Sequence, residues 1–181
     1  KKKFKINEKE IKQSIRKLKN KKASGLDCIL NEMIKAGQTV LMPCLMKLFN
    51  SILLSGKYPS EWKTGYIKPL FKGGDTNDPS NYRGISIMPC LSKIFNSILN
   101  NRLQAYFDSN SIINKAQIGF QPKSRTSDHM FVLRTLIEKY LNNGLKLHAC
   151  FVDFAKAFDS VIHSALFYKL NAVGVSGLFF N

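Results

Sequence analysis

The chain has 181 residues, 44% of them hydrophobic and 11% aromatic, a content that excludes global disorder and suits one ordinary domain or one lobe of a larger one. Its 28 Lys and Arg against 12 Asp and Glu leave a formal net charge of +16, which points to a polyanionic partner, nucleic acid before others. No segment offers the unbroken apolar run of about 20 residues that a membrane span requires, because the nearest, residues 39–54, is interrupted by Pro43 and Lys47.

The N-terminus reads Lys1-Lys2-Lys3-Phe4-Lys5 with no apolar core behind it, so it does not resemble a signal peptide. The first 22 residues hold ten Lys and one Arg against Glu8 and Glu10, more than half of the whole excess of positive charge. Ile11, Ile15 and Leu18 fall on one helical face, and Asn7 with Glu10 has the spacing of a capping arrangement. A basic amphipathic helix is expected, its polar face either set against phosphates or simply solvated.

After Ser24-Gly25 a second helix is expected over residues 27–35, closed by Gly37, and a third over residues 39–54, closed by Gly56. Leu41, Leu45, Leu48, Phe49 and Ile52 repeat at helical spacing, so the third helix reads as core. The texture then changes. Residues 62–72 and 82–88 have strand composition, and Gly73-Gly74-Asp75 is a turn signal, which predicts an antiparallel pair joined by a polar loop. Pro69 suits only an edge or irregular position, which leaves that part of the pair open to a ligand.

From Pro89 to about Tyr106, the pattern Leu91, Ile94, Phe95, Ile98, Leu99 and Leu103 predicts another amphipathic helix. A loop over residues 119–127 precedes a helix over residues 128–141, with Met130, Leu133, Leu136, Ile137 and Tyr140 expected on its buried side. Residues 147–153, a short apolar run ending in Asp153, read as a buried strand, and residues 160–170 as a helix turning Val161, Leu166 and Leu170 inward. Cys28, Cys44, Cys90 and Cys150 lack zinc-site spacing and are expected as reduced thiols packed as small hydrophobes, consistent with an intracellular setting. The chain does not begin with Met and stops within the apolar residues 177–180, so it reads as an excerpt.

Chemistry concentrates in two places. Lys68, Lys72 and Arg83 surround the Gly-rich turn, and such cations suit a triphosphate: Arg donates paired hydrogen bonds to phosphate oxygens and Lys acts as a mobile point charge. Asp153, at the end of its apolar run, is either a solvated strand end or a ligand for the divalent metals of phosphoryl transfer, since a desolvated carboxylate needs a partner. One carboxylate does not hold two metals, and Asp159, six residues on, reads better as a helix cap than as a second ligand.

Four blocks, in order from about Lys21 to Leu170, resemble the reverse transcriptases of non-LTR, LINE-like retrotransposons. They are residues 22–27 with 32–35; Trp62, residues 67–75, 81–86 and 92–95 with Arg102-Leu103; Gln117-Ile118-Gly119-Phe120 with Thr126 and Asp128; and residues 151–161. The resemblance implies an α+β fold, helical fingers with a small antiparallel sheet leading into a truncated polymerase palm. It divides the chain into a basic extension (1–22), fingers (23–146) and the start of the palm (147–181).

It also implies roles. Asp153 would be the first ligand of catalytic Mg²⁺ (or Mn²⁺), with the carbonyl of Phe154 beside it, and Phe158 the aromatic gate that excludes ribonucleotides. Arg83 would hold the incoming triphosphate, helped by Lys68 or Lys72, and Lys21, Lys22 and Arg125 would grip nucleic acid. The implied partners are an RNA template, a DNA primer and deoxynucleoside triphosphates, with no membrane, in the nucleus or cytoplasm. Two departures stand out: the family's usual Pro after the Arg83 position is Gly84, and the block commonly written Phe-Arg-x-Gly-Arg-Ser-Thr is here residues 120–126 with its Gly lost and its Arg shifted. The paired Asp residues of the palm do not occur in the chain, so the fragment is expected to bind nucleic acid without polymerising; the alternative is a non-catalytic remnant or domesticated binding module.

Overall fold

In the computed structural model, which describes residues 5–122 and 124–176, the first helix, α1 (Glu8–Lys17), begins on a reciprocal cap. Asn7 Oδ1 accepts the Glu10 N–H at 3.0 Å, and a Glu10 carboxylate oxygen accepts the Asn7 N–H at 2.9 Å, which satisfies two of the donors a helix start leaves open. The apolar face carries Ile11, Ser14 and Ile15 inward. Ile6, Ile11 and Ile15 are each at most 1% exposed, so this lysine-rich segment is part of the core as well as the surface.

The remaining elements are α2 (Asn31–Ala36), α3 (Gln38–Ser55), β1 (Tyr66–Phe71), β2 (Tyr82–Ile87), α4 (Cys90–Ser109), α5 (Thr126–Asn142) and α6 (His163–Ala172). The expected α+β class holds: helices with one two-stranded antiparallel sheet among the described residues. Two compact units form, one of residues 5–106 with Ser176 and one of Phe107–Val175.

In the first unit α1, α2, α3 and α4 share one apolar core, in which Phe49 lies 5.6 Å from Phe95 and 6.1 Å from Trp62, ring centre to ring centre. α3 ends where expected, on Gly56 at φ 67, a conformation that favours glycine. By length and composition α3 is apolar enough to cross a membrane, but Met42, Leu45, Phe49, Ile52 and Leu53 are buried in this core, as in the central helix of a globular unit.

Two expectations are corrected here. α2 starts at Asn31 rather than residue 27, because Cys28 takes φ 54 and the Ile29 N–H bonds the Asp27 carboxylate at 3.2 Å, forming turns instead of helix. Trp62 is not in a strand: it closes a 3-10 turn, Ser60–Trp62, with its ring buried in the core. Gly25 lies against the start of α4, where a Cβ would stand 2.7 Å from the Pro89 backbone.

The second unit departs further. Residues 147–153 form no strand; the run is irregular, with Phe151 83% and Val152 76% exposed. A strand is held by a ladder to a neighbour, and the only strand pair among the described residues is β1 with β2. Likewise Met130, Leu136, Ile137 and Tyr140 of α5 are exposed and Leu133 is half-buried, while Val161 and Leu166 are exposed and Leu170 is half-buried. Periodicity identified an apolar face, but burial also requires an element to cover it. Asp159 does not cap α6 either, since that helix begins after Ile162.

Candidate active-site elements

The hairpin is built from its register. β1 and β2 pair Tyr66 with Ile87, Lys68 with Ile85, Pro69 with Gly84, Leu70 with Arg83 and Phe71 with Tyr82. The Lys72 N–H reaches the Asn81 carbonyl at 2.8 Å, so the ladder continues one pair past β1. Side chains alternate across a sheet, hence Lys68, Leu70 and Lys72 share a face with Ile85, Arg83 and Asn81. Arg83, opposite Leu70, therefore has Lys68 and Lys72 as its two diagonal neighbours, each about 7–8 Å away at this kind of position. All three cations are exposed. The opposite face holds Ile67, Pro69, Phe71, Tyr82, Gly84 and Ser86, with the Phe71 and Tyr82 rings 5.3 Å apart.

Pro69 has no N–H, yet the ladder loses nothing. The bond at Lys72 fixes the even-numbered residues of β1 as those that exchange hydrogen bonds with β2, so the backbone nitrogen of Pro69 faces outward. Gly84 sits opposite, and a Cβ there would come within 3.1 Å of the Ile67 side chain. The loop beyond is held internally: Gly73 and Gly74 take φ 129 and 96, Asp75 accepts the Asn77 N–H at 2.9 Å, and the Tyr82 hydroxyl donates to the Thr76 carbonyl at 2.9 Å. Two bonds from Ser80 hold the Asp78 carboxyl below its ordinary value.

A second cationic element is the loop ahead of α2. Asn31 donates to the Lys19 carbonyl at 2.7 Å, Lys35 donates to Asn20 Oδ1 at 2.6 Å, and the Glu32 carboxylate accepts the Lys21 N–H. That last bond lowers the Glu32 pKa. The backbone is strapped down while the Lys21 and Lys22 side chains remain exposed. Asn31 also accepts a bond from the buried Cys90 thiol at 3.1 Å. Of the four cysteines only Cys90 is buried, so the expectation that all pack as hydrophobes is corrected for Cys28, Cys44 and Cys150.

In the second unit Asp153 and Phe154 lie exposed in the irregular run. A hydrogen-bonded turn follows, in which the Asp159 and Ser160 N–H groups both reach the Lys156 carbonyl, at 2.9 and 3.0 Å. Phe158 stands in this turn, and its ring meets that of Phe120 edge-on, 6.0 Å between centres and 76° between planes. Sequence reasoning missed that contact, because nothing in either residue's spacing marks a pairing. Arg125 precedes α5, with its N–H bonded to the Asp128 carboxylate at 2.8 Å and its side chain exposed.

A family model described as reverse transcriptase (RNA-dependent DNA polymerase) matches residues 71–179. The chain belongs to the reverse transcriptase family. Over 161 residues it is 33% identical to the RNA-directed DNA polymerase from mobile element jockey of Drosophila melanogaster, and over 165 residues 31% identical to the jockey polymerase of Drosophila funebris. These alignments take in 88% and 91% of the chain but 18% of each relative, so the chain spans under a fifth of the length of the proteins it matches. Its branch is that of the non-LTR retrotransposons.

The donor set of this chain does not by itself fit a pair of divalent ions. Among the described residues no three His, Cys, Asp or Glu converge, and a two-metal centre needs several oxygen ligands per ion.

Proposed function

We propose that the chain supplies the triphosphate-holding hairpin and the first metal-ligating carboxylate of an RNA-directed DNA polymerase from a non-LTR retrotransposon. The reaction is attack of a primer 3′-hydroxyl on the α-phosphorus of a deoxynucleoside triphosphate, with pyrophosphate leaving, directed by an RNA template. The observation that carries this reading is the register of β1 and β2, which sets Arg83 between Lys68 and Lys72 on one exposed face. A triphosphate bears several negative charges along a short chain, and three cations at diagonal spacing match it better than any one of them does. The sequence left Lys68 and Lys72 as alternatives; the shared face supports a part for both.

The other assignments rest on the resemblance, position by position. Asp153 would be one ligand of Mg²⁺ (or Mn²⁺), together with the Phe154 carbonyl, at a centre that needs more carboxylates than the described residues bring together. Phe158 lies under the sugar. Lys21 and Lys22 of the first unit and Arg125 of the second each contact nucleic acid phosphates, and in the first unit a groove of about 470 Å³ along α1, lined by Lys9, Lys12 and Arg16 among others, offers further cations. The setting is intracellular, where RNA template and nucleotides are available.

Primer extension on an RNA template tests the reading in a longer polymerase that contains this sequence. Asp153→Ala is expected to abolish extension and Arg83→Ala to raise the KM for deoxynucleotides. Full extension by Asp153→Ala would remove that residue from the chemistry. Salt-sensitive RNA binding without extension would instead identify a binding module.

A further inference from the structure

Phe120 and Phe158 come from separate quoted blocks and meet ring to ring within one unit. Their surroundings make the pairing informative. Phe120 is 91% and Phe158 78% exposed, so neither ring is there to fill a core. Phe120 also takes φ 61, the left-handed region that bulky side chains rarely adopt. The Gln121 N–H on the Ile118 carbonyl at 3.2 Å holds that bend from both sides of Phe120. Phe158 is held in the same manner by the turn on the Lys156 carbonyl, with Lys156 itself at φ 48. Two backbone bends therefore present two aromatic rings to each other at the surface.

An exposed phenylalanine on a turn samples several staggered χ1 wells, and a ring that wanders makes a poor wall. Edge-to-face contact selects one of those wells. We propose that Phe120 is a positioning residue for Phe158, fixing its ring so that it blocks the 2′-hydroxyl of an incoming nucleotide and thereby setting the preference for deoxyribonucleotides. This rests on the reading of Phe158 as the residue beneath the sugar.

Four measurements decide it. In a longer active polymerase, Phe158→Val measures the gate itself: loss of discrimination between dCTP and CTP is required, and unchanged discrimination overturns the gate reading and this inference with it. Phe120→Gly removes the ring while relieving the strained φ. Discrimination should then fall about three- to tenfold, the factor that one aromatic pair is worth, through a lower KM for CTP, while the melting temperature holds or rises. Phe120→Tyr, which keeps the ring, should retain discrimination. If Phe158→Val loses discrimination and Phe120→Gly does not, the gate stands and the role of Phe120 is overturned. In the 181-residue chain, with 4-fluorophenylalanine at position 158, Phe120→Gly should move and broaden the ¹⁹F resonance; an unmoved line overturns the contact without reference to activity.

Discussion

Arg102 on α4 grips Glu10 on α1 with two donors, Nε at 2.6 Å and Nη2 at 2.9 Å, while Nη2 also reaches the Lys5 carbonyl at 2.8 Å. The same carboxylate caps α1 through the Asn7 N–H. Both side chains are about one-fifth exposed, so the pair is partly shielded from water. Burial works to raise the Glu10 pKa, but the bonds from Arg102 and Asn7, with the guanidinium charge, prevail and hold it below 4.5.

Glu10→Gln should therefore lower stability at neutral pH by about 1.5–3 kcal/mol in denaturant unfolding, the range for hydrogen bonds to a charged group. A depressed carboxylate contributes fully above its ordinary pKa and loses that contribution as pH falls through the folded value. The gap between wild type and Glu10→Gln should accordingly close below about pH 4.5. A gap unchanged at low pH would show that the charge is not what stabilises the contact.

Cys90 should resist modification. Burial pushes its thiol up to about 11 from 9.0, with the charge of Lys93 opposing and those of Asp27 and Glu32 adding to the rise. Thiolate is the reactive form, so a native chain treated with iodoacetamide near pH 8 should be labelled at Cys28, Cys44 and Cys150, and at Cys90 only after unfolding. The raised value also means that this thiol's contribution to stability is whole below pH 9 and lost as pH climbs towards 11. Peptide mapping after labelling reads the first point directly.

Gly25→Ala should destabilise the first unit by about 1–3 kcal/mol, the usual cost of forcing extra atoms into a packed site. The added Cβ would sit 2.7 Å from the Pro89 backbone, which has no flexible end to move aside. Gly144→Ala makes a useful contrast. At that position no atom lies within 4 Å but φ is 68, so any loss there reports backbone strain rather than collision. Thermal melts of both variants separate the two effects.

Lys68→Ala and Lys72→Ala should each weaken triphosphate binding several-fold, and Arg83→Ala more than either, because only Arg83 is flanked on both diagonals. Arg83→Lys should recover part of the loss, since it restores charge but not paired donation. Titration of deoxynucleotide into the polymerase at low and high salt would show this order. If only one of the two lysines mattered, a binding face composed of all three cations would be wrong.

The first unit was legible to the extent that its signals were local. Asn7 and Glu10, Gly56 after α3 and the Gly73-Gly74 turn each act through neighbours a few residues away, and each marks a boundary that the fold keeps. The strap on residues 19–21 was not legible, because Asn31, Glu32 and Lys35 are ordinary helix residues until the chain folds back. The second unit misled for a different reason. Residues 147–153 and the apolar side of α5 have the composition of buried elements, but composition records what a segment prefers and not what is present to cover it. Of the candidate site, the cations and Asp153 were recognisable as residue types, whereas the diagonal placement of Arg83 and the Phe120 contact emerged only with the register and the turns.

The outward-facing nitrogen of Pro69 has a bearing on how copies of this chain behave together. A two-stranded hairpin with both faces exposed offers two free edges onto which another molecule's strand can zip. Along the outer edge of β1 the donors in line would be those of Ile67, Pro69 and Phe71, and the middle one does not exist. An incoming strand would find its ladder broken at the centre and three like charges close by. The β1 edge thus resists addition of a strand from another copy, while the cationic face beside it stays open to a small polyanion.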